Sequence, residues 1–466
     1  MVGSTGTAQV FEEFQDSVLG NPGYPARRID GRSFDKCGDH CATLAGGKAI
    51  HLEKDSTILI ALRQLIFDIY TIIIYILLMM YRAEKLTPPE KEVIAKVEEA
   101  RKALKYNLAS PRRWTGLLRR NTLARAVRGS NSIEGYNVTA EDAIAAVEGE
   151  EPLSADREAW LAVTGYRYAM TFVLQLTKDK NFVYSEGFLR GLHFMMVQHD
   201  LKKNPGNWRP GTVYVRDESR GGEVVYEGPD VEMVPGLIEE LVEYLNESED
   251  CPHALVKGAM AHLNLVMIHP FSDGNGRMAR CLQTLVLGRE GILEPEFSSI
   301  EEYLGRNTQD YYNILAQTGE GSWHPKNSTR AWIRFNLTAH FRQATTLLMR
   351  TKLMDVLWQE LELIISRRGL PERLIYAVAD GAIGYRVRNS SYRNLAEVND
   401  ITASRDLKAA VDADLLIPTG ERRGRIYVGS AELRALVDKL RQEHIKSVPD
   451  PFVPTTLQLP FAANPQ

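Results

Sequence analysis

Cysteine is scarce in this chain. Cys37, Cys41, Cys251 and Cys281 are the four in 466 residues, too few for a disulfide framework in a protein of this length. Unpaired thiols fit a reducing compartment. Cys37-Gly-Asp-His-Cys41 is metal-like at first sight, but no second Cys or His pair lies near it, so a zinc set is incomplete. A dominant charge is lacking too. The net charge of −4 gives no global attraction to nucleic acid or to an acidic membrane, so any such surface has to be local. There is no internal repeat. The length leaves room for two or three domains and a sizeable core.

Long apolar runs are also few. The exception is Leu65 to Tyr81, broken by Asp68. It sits at the short end of the roughly 20 residues a membrane span needs. It starts too late for a standard signal peptide and has no small-residue cleavage site. The favoured reading is an upstream extension of the reading frame before a start near Met79 or Met80. A buried helix is one alternative. The other is a membrane anchor, with Arg82, Lys85, Lys91 and Lys96 keeping the following domain cytoplasmic. Residues 1–85 are thus an uncertain leader. Regular amphipathic sequence is expected only after Leu86-Thr-Pro-Pro, with a charged helix over Glu90 to Tyr106.

From Pro88 to about Leu348 the pattern is mainly helical. Apolar residues recur at three and four over Asp156–Thr177, Ser185–Gln198, Val234–Leu245 and His253–Ile268. Thr212–Val215 and Glu223–Tyr226 flank Arg220-Gly-Gly222 and predict a short β-hairpin. Helical sequence returns from Tyr311 through Arg367. A compact helical segment from Leu374 to Val437 is expected to end in a second hairpin. The tail after Ser447 reads as loose.

The most informative stretch is His269-Pro-Phe-Ser-Asp-Gly-Asn-Gly-Arg-Met-Ala-Arg280. It joins an apolar helix ending at Ile268 to another beginning near Arg277. Gly274 and Gly276 allow left-handed backbone that turns N–H groups inward. Such N–H groups at a helix N-terminus form an anion pocket. Arg277 and Arg280, three apart, share a helical face and offer forks to phosphate oxygens. Asp273 is a hard oxygen ligand suited to Mg²⁺. His269 can accept a proton near neutral pH. These groups make a polyphosphate site with a base and a metal carboxylate.

The same stretch resembles the signature of the Fic family at every specified position, and the likeness extends over roughly Pro88 to Trp332. Ser185 to His193 resembles the helix opening the family core, and Gly206-Asn-Trp-Arg209 its Gly-x-aromatic-Arg turn. Val225, Tyr226, Glu227 and Gly228 stand where the family has a flap that aligns the target side chain. Members often carry several prolines there; this chain has Pro229 alone. Tyr311 and Tyr312 resemble an aromatic pair lining the adenine pocket.

The resemblance implies protein adenylylation. ATP is bound by Asp273, Gly274, Asn275, Gly276, Arg277, Met278, Ala279, Arg280, Tyr311 and Tyr312. His269 deprotonates a target hydroxyl. Asp273 holds Mg²⁺ on the α- and β-phosphates, the Asn275 side chain helps to hold the diphosphate, and Arg280 holds the γ-phosphate. Gly276 argues against the phosphotransferase branch, whose anion loop is bulkier. Upstream, Ser130-Asn-Ser-Ile-Glu134-Gly135 resembles the family's inhibitory helix. Ser130 and Glu134 lie one turn apart, Gly135 would end the helix, and the resemblance sets Glu134 against Arg280.

Near the other end, Tyr392–Val398, a turn at Asn399-Asp400 and Thr402–Leu416 read as helix-turn-helix. Gly420–Arg425 reads as the tip of a wing. This resembles the winged helix that many Fic proteins append. Arg405, Lys408 and the wing arginines could meet DNA phosphates, although Asp406, Asp412 and Asp414 dilute the charge.

The expected fold is mainly α: a Fic-type helical core with a small β-hairpin flap, plus a C-terminal winged helix. The expected boundaries are 86–184 for a helical region with the inhibitory motif at 130–135, 185–337 for the core, 338–445 for the connection and winged helix, and 446–466 for a flexible tail. The expected partner is a protein bearing a Ser, Thr or Tyr hydroxyl. DNA through 392–428, a homo-oligomer and a membrane segment at 65–81 stay open. Removal of AMP in the same pocket and a nucleotide-sensing DNA-binding regulator are the rival functions.

Overall fold

The computed structural model describes residues 63, 80–109, 112–217, 222–247, 253–289, 291, 295–421 and 425–453. The Cys37–Cys41 motif, Arg422 and Arg423, and all of the 65–81 run except Met80 and Tyr81 lie outside them. Apart from Arg63, the described residues belong to the unit Tyr75–Gln466. No helix among the described residues is long and apolar enough to cross a membrane.

The architecture is helical, with two small hairpins. In chain order come α1 (Pro88–Ala109), α2 (Thr115–Ile133), α3 (Ala140–Glu148), α4 (Arg157–Leu176) and α5 (Glu186–Val197). Strands β1 (Tyr214–Asp217) and β2 (Glu223–Glu227) follow, then α6 (Val234–Asn246), α7 (Ala254–Ile268), α8 (Asn275–Gly288), α9 (Glu301–Arg306), α10 (Thr308–Gly319) and α11 (Arg330–Arg367). The C-terminal part holds α12 (Ile375–Ile383), α13 (Asn389–Ala396), α14 (Asp400–Asp412), β3 (Leu416–Thr419), β4 (Ile426–Gly429) and α15 (Ala431–His444). Both strand pairs are antiparallel, with Tyr214 opposite Glu227 and Leu416 opposite Gly429.

Several helix starts follow from local chemistry. Thr139, Asp156, Ser185, Asn399 and Ser430 each accept a hydrogen bond from a backbone N–H in the first turn of the following helix. Such caps satisfy donors that a helix leaves unpaired. The central element is α7. It is buried on every face, as an all-round apolar helix must be. Its Gly258 lies against Gln283 and Leu287 of α8, so the two helices flanking the signature loop approach closely.

Two apolar cores result. One surrounds α7 and α8. The other packs the C-terminal half of α11 against α12, α14 and α15. The 38-residue α11 bridges them. At its N-terminal end the Trp332 indole N–H donates to the Ala259 carbonyl of α7 at 2.8 Å.

Some boundaries differ from expectation. Helix α8 starts at Asn275, two residues early, because Gly274 adopts φ +81° and serves as the N-cap. The helical run after Tyr311 is broken by residues 320–329, where Glu320 and Gly321 take left-handed backbone. The short α9 was not foreseen. The C-terminal segment ends in α15, not in the hairpin, and Leu416 begins a strand. Of the tail expected to be loose, residues 454–466 lie outside the described residues; within 446–453, Phe452 lies under Arg334 at 5.3 Å and the Lys96 ammonium donates to the Pro451 carbonyl at 3.3 Å.

The ordered packing also begins before Pro88. Met80 and Tyr81 are fully buried. The Tyr81 N–H donates to Asn264 Oδ1 at 2.8 Å, and Asn264 Nδ2 donates back to the Tyr81 carbonyl at 3.0 Å. A chain beginning at residue 79 is therefore expected to keep the stability of the full chain. One beginning at residue 88 is expected to lose about 3–6 kcal/mol, from two buried side chains and their hydrogen bonds. Urea unfolding checks this, and equal midpoints for the two truncations would refute it.

Candidate active site

The loop between α7 and α8 gathers the expected groups. His269 ends α7 at φ +50°, a left-handed conformation that non-glycine residues seldom adopt. Arg209 holds it there. This buried guanidinium donates from Nε to the His269 carbonyl at 3.0 Å and from a terminal nitrogen to the Pro229 carbonyl of the flap. Its backbone N–H donates to the Pro270 carbonyl at 2.9 Å. Arg209 thus ties the loop to the flap. The His269 Nδ1 lies 3.2 Å from the Val266 carbonyl. A carbonyl only accepts, so Nδ1 carries the hydrogen and Nε2 keeps a lone pair. Burial pushes the imidazole down to about 4, against the opposing pulls of the Val266 carbonyl and Glu134. The ring is neutral at pH 7, as a base requires.

At the start of α8, Arg277 and Arg280 are buried. Arg277 Nε and one terminal nitrogen of each guanidinium have no hydrogen-bond partner among the described residues. Buried donors left unpaired point to a missing acceptor. Part of the acceptor role is taken by Glu134. Arg280 donates to Glu134 Oε1 at 2.7 Å, to the Ser130 hydroxyl at 2.7 Å and to the Ser130 carbonyl at 2.9 Å. Glu134 caps α2, and Gly135 follows at φ +83°. A side-chain carbon added at Gly276 would stand 2.3 Å from Glu134 Oε1 and 2.9 Å from Arg280. The glycine is what lets the carboxylate sit over the first turn of α8, where the helix dipole favours an anion. Met278 and Ala279 are buried in the core beneath.

Asn275 has a structural part as well. Both its polar atoms bond the Phe271 backbone, at 2.9 and 2.8 Å, so its side chain clamps the loop. Two residues to which the sequence reading gave no role, Lys203 and His193, support Asp273. Lys203 pairs with its carboxylate at 2.8 Å and also donates to the Tyr136 hydroxyl at 2.6 Å. His193 accepts from the Gly206 N–H at 2.9 Å, which leaves Nε2 to donate to the Asp273 carbonyl at 3.1 Å. Its ring stacks on Phe271 at 3.8 Å. Burial raises the Asp273 carboxyl, but Arg277, Lys203 and the Gly274 N–H outweigh it and the net shift is downward.

An ionised Asp273 fits a divalent cation in charge and hardness. Among the described residues no group of three His, Cys, Asp or Glu side chains surrounds it. A cation there would need further oxygens from a bound polyphosphate and would take the place of Lys203.

The flap pairs as expected. Val225 is half-buried and Glu227 is exposed. Tyr226 turns inward and donates to the Met267 carbonyl at 2.8 Å. A side chain at Gly228 would strike Val213 at 2.7 Å and come within 3.8 Å of His269. The two tyrosines of α10 part ways. Tyr311 is buried and bonded to His262 at 2.9 Å, with Arg280 5.9 Å above its ring. Tyr312 is 41% exposed, and its hydroxyl donates to the Ile133 carbonyl at 2.9 Å, next to Glu134. In the C-terminal part, Arg405 and Lys408 are exposed on α14. Asp406 does not dilute their charge, because it is buried against Arg373 at 2.7 Å.

Residues 184–287 match the Fic/DOC family. The chain is 27% identical over 210 residues to the protein adenylyltransferase Fic of Nematostella vectensis, covering 42% of this chain and 43% of that protein. It is 40% identical over 95 residues to protein adenylyltransferase fic-1 of Caenorhabditis briggsae, covering 20% and 18%. A solved Fic family protein from Desulfovibrio desulfuricans aligns over 75% of this chain and 99% of its own, with 21% identity and a TM-score of 0.49. The chain spans less than half the length of the curated relatives it matches. The signature loop, α7 and α8 up to Leu287 fall inside the matched stretch, so residues 184–287 carry a Fic/DOC-family domain.

Proposed function

We propose that the protein transfers AMP from ATP to a hydroxyl side chain of another protein in the cytoplasm, and that Glu134 restrains the reaction. The observation that carries this reading is a carboxylate over the N-terminus of α8, held by Arg280 at 2.7 Å. The seat is suited to a phosphate and is filled by the chain's own anion.

In this reading His269 Nε2 takes the proton of the target hydroxyl. The freed oxygen attacks the α-phosphorus, and pyrophosphate leaves. The N–H groups at the start of α8 and the unpaired nitrogens of Arg277 and Arg280 receive the phosphate charge. Asp273 is the residue that would hold Mg²⁺, which neutralises polyphosphate charge when bound. The flap, fixed through Arg209 and Tyr226, brings the target backbone alongside His269. A winged-helix reading of 389–429 is supported by the order helix, helix, hairpin.

The test is incubation of the purified chain with lysate and ATP labelled in the α-phosphate, followed by peptide mass spectrometry. An added AMP on Ser, Thr or Tyr is expected. Label found only in free AMP, with no modified peptide from lysate or from the protein itself, would overturn the proposal.

A further inference from the structure

A second charged cavity lies behind the helix that carries Glu134. It has a volume of about 390 Å³ and is bounded by α2, α3, α9 and the end of α12. Ligand pockets begin at roughly this size. Arg125 and Arg128 of α2 and Arg306 of α9 line it, beside Glu302 and Tyr385. None of the groups of the signature loop reaches it. At 3.6 residues per turn the mean direction of Arg125 and Arg128 lies about 170° around the helix from that of Ser130 and Glu134. The cavity and the Arg280 contact therefore use opposite faces of α2.

Its charges do not balance. Among the described residues that line it Glu302 is the only acid, and it is fully used. Arg350 grips both its oxygens at 2.7 Å, and Arg306 bonds it at 2.6 Å. These arginines pull the Glu302 carboxyl down to about 2 despite its burial. Arg125 and Arg128 have no ion-pair partner among the described residues, Arg128 donating only to the Val138 carbonyl at 3.0 Å. The Arg125 guanidinium is half-buried, and burial together with neighbouring Arg350 lowers its pKa. With Arg350 behind Glu302, four guanidinium groups face one carboxylate. Arg128 and Arg306 are exposed, so of the two arginines without an ion pair only Arg125 is partly desolvated, a cost that an anion in the cavity would offset.

We infer that this cavity binds a small molecule bearing two or more phosphates, gripped by Arg125, Arg128 and Arg306. The excess of three positive charges exceeds what one monoanion would match. The volume is ample for a diphosphate, and planar guanidinium forks pair bidentately with phosphate oxygens. Such a ligand would bridge α2 to α9. Those helices already approach so closely that a side-chain carbon at Gly305 would stand 2.6 Å from Gly129 Cα. The inference is independent of AMP transfer, since it uses none of that site's residues.

Inorganic pyrophosphate is the probe, titrated calorimetrically into the full chain without divalent metal, with citrate as a trianion lacking phosphate. Arg125→Met and Arg306→Met are each expected to weaken one pyrophosphate site at least tenfold. Arg277→Met, in the signature loop, is expected to leave that site intact. Arg125 has no ion-pair partner to orphan, so its variant is expected to melt as cooperatively as wild type. Hydrogen exchange should show pyrophosphate slowing amides of 123–133 and 301–306 in wild type and not in Arg125→Met. Unchanged pyrophosphate affinity in both cavity variants overturns the inference. So does loss of all binding in Arg277→Met, or equal affinity for citrate.

Discussion

Replacing Glu134 by glycine is expected to raise AMP transfer, including self-modification, by about 10- to 100-fold, the kinetic worth of one buried charge-assisted hydrogen bond. Arg280 holds Glu134 at 2.7 Å. A γ-phosphate would have to displace that carboxylate and accept the same nitrogen. Glycine removes the competitor and leaves Ser130, whose hydroxyl and carbonyl keep the guanidinium oriented. Position 134 tolerates glycine because it is a helix end with φ −90°, already followed by a left-handed Gly135. Arg280→Ala combined with Glu134→Gly should cancel the gain, since the freed fork would be gone. Intact mass after incubation with ATP and Mg²⁺ reads both variants. A Glu134→Gly protein no more active than wild type removes the brake from the proposal. A fully active double variant removes Arg280 as the contested group.

The pairing of Glu134 with Arg280 was an expectation from the resemblance of 130–135 to an inhibitory helix; spacing alone said only that a hydroxyl and a carboxylate four residues apart share a helix face. The signature loop was legible from its residues: base, carboxylate, glycines and arginines fall within twelve contiguous residues. What the sequence concealed was set by tertiary approach. Lys203 meets Asp273 across seventy residues, His193 reaches the same loop from α5, and Arg209 joins His269 to the flap. A lone lysine or histidine on a helix or turn carries no mark of such a meeting. Asn275 was assigned by its place in the motif, which does not announce that its carboxamide also ties the Phe271 backbone. The inward turn of Asp406 and the packing of Phe452 depend on neighbours distant in the chain. Gly274 also shifted the start of α8, because a left-handed N-cap admits Asn275 into the first turn.

Substitution of His269 by alanine is expected to abolish transfer, by about 10²- to 10⁴-fold or more if no solvent base substitutes, while ATP binding is kept. The groups assigned to the polyphosphate are Arg277, Arg280 and the first-turn amides of α8, and none of them is held by the imidazole. The loop should keep its course, since Arg209 bonds the backbone carbonyl of residue 269 and not its ring. His269 already bears the left-handed cost at φ +50°, so alanine adds little backbone strain there, and a thermal melt checks that the kinetic effect is not a loss of fold. The pH profile gives an independent signature. With the ring held down to about 4 by burial, the base stays unprotonated well below the ordinary histidine range. In Glu134→Gly, transfer should therefore persist as pH falls through 6.5 and decline only toward about 4, unless unfolding intervenes. Unfolding acts in the same direction: a depressed histidine pKa means the unfolded chain binds more protons below 6.5, so stability falls as pH falls. A fluorescence melt at each pH marks where that begins. Undiminished transfer by His269→Ala would show that another group takes the proton.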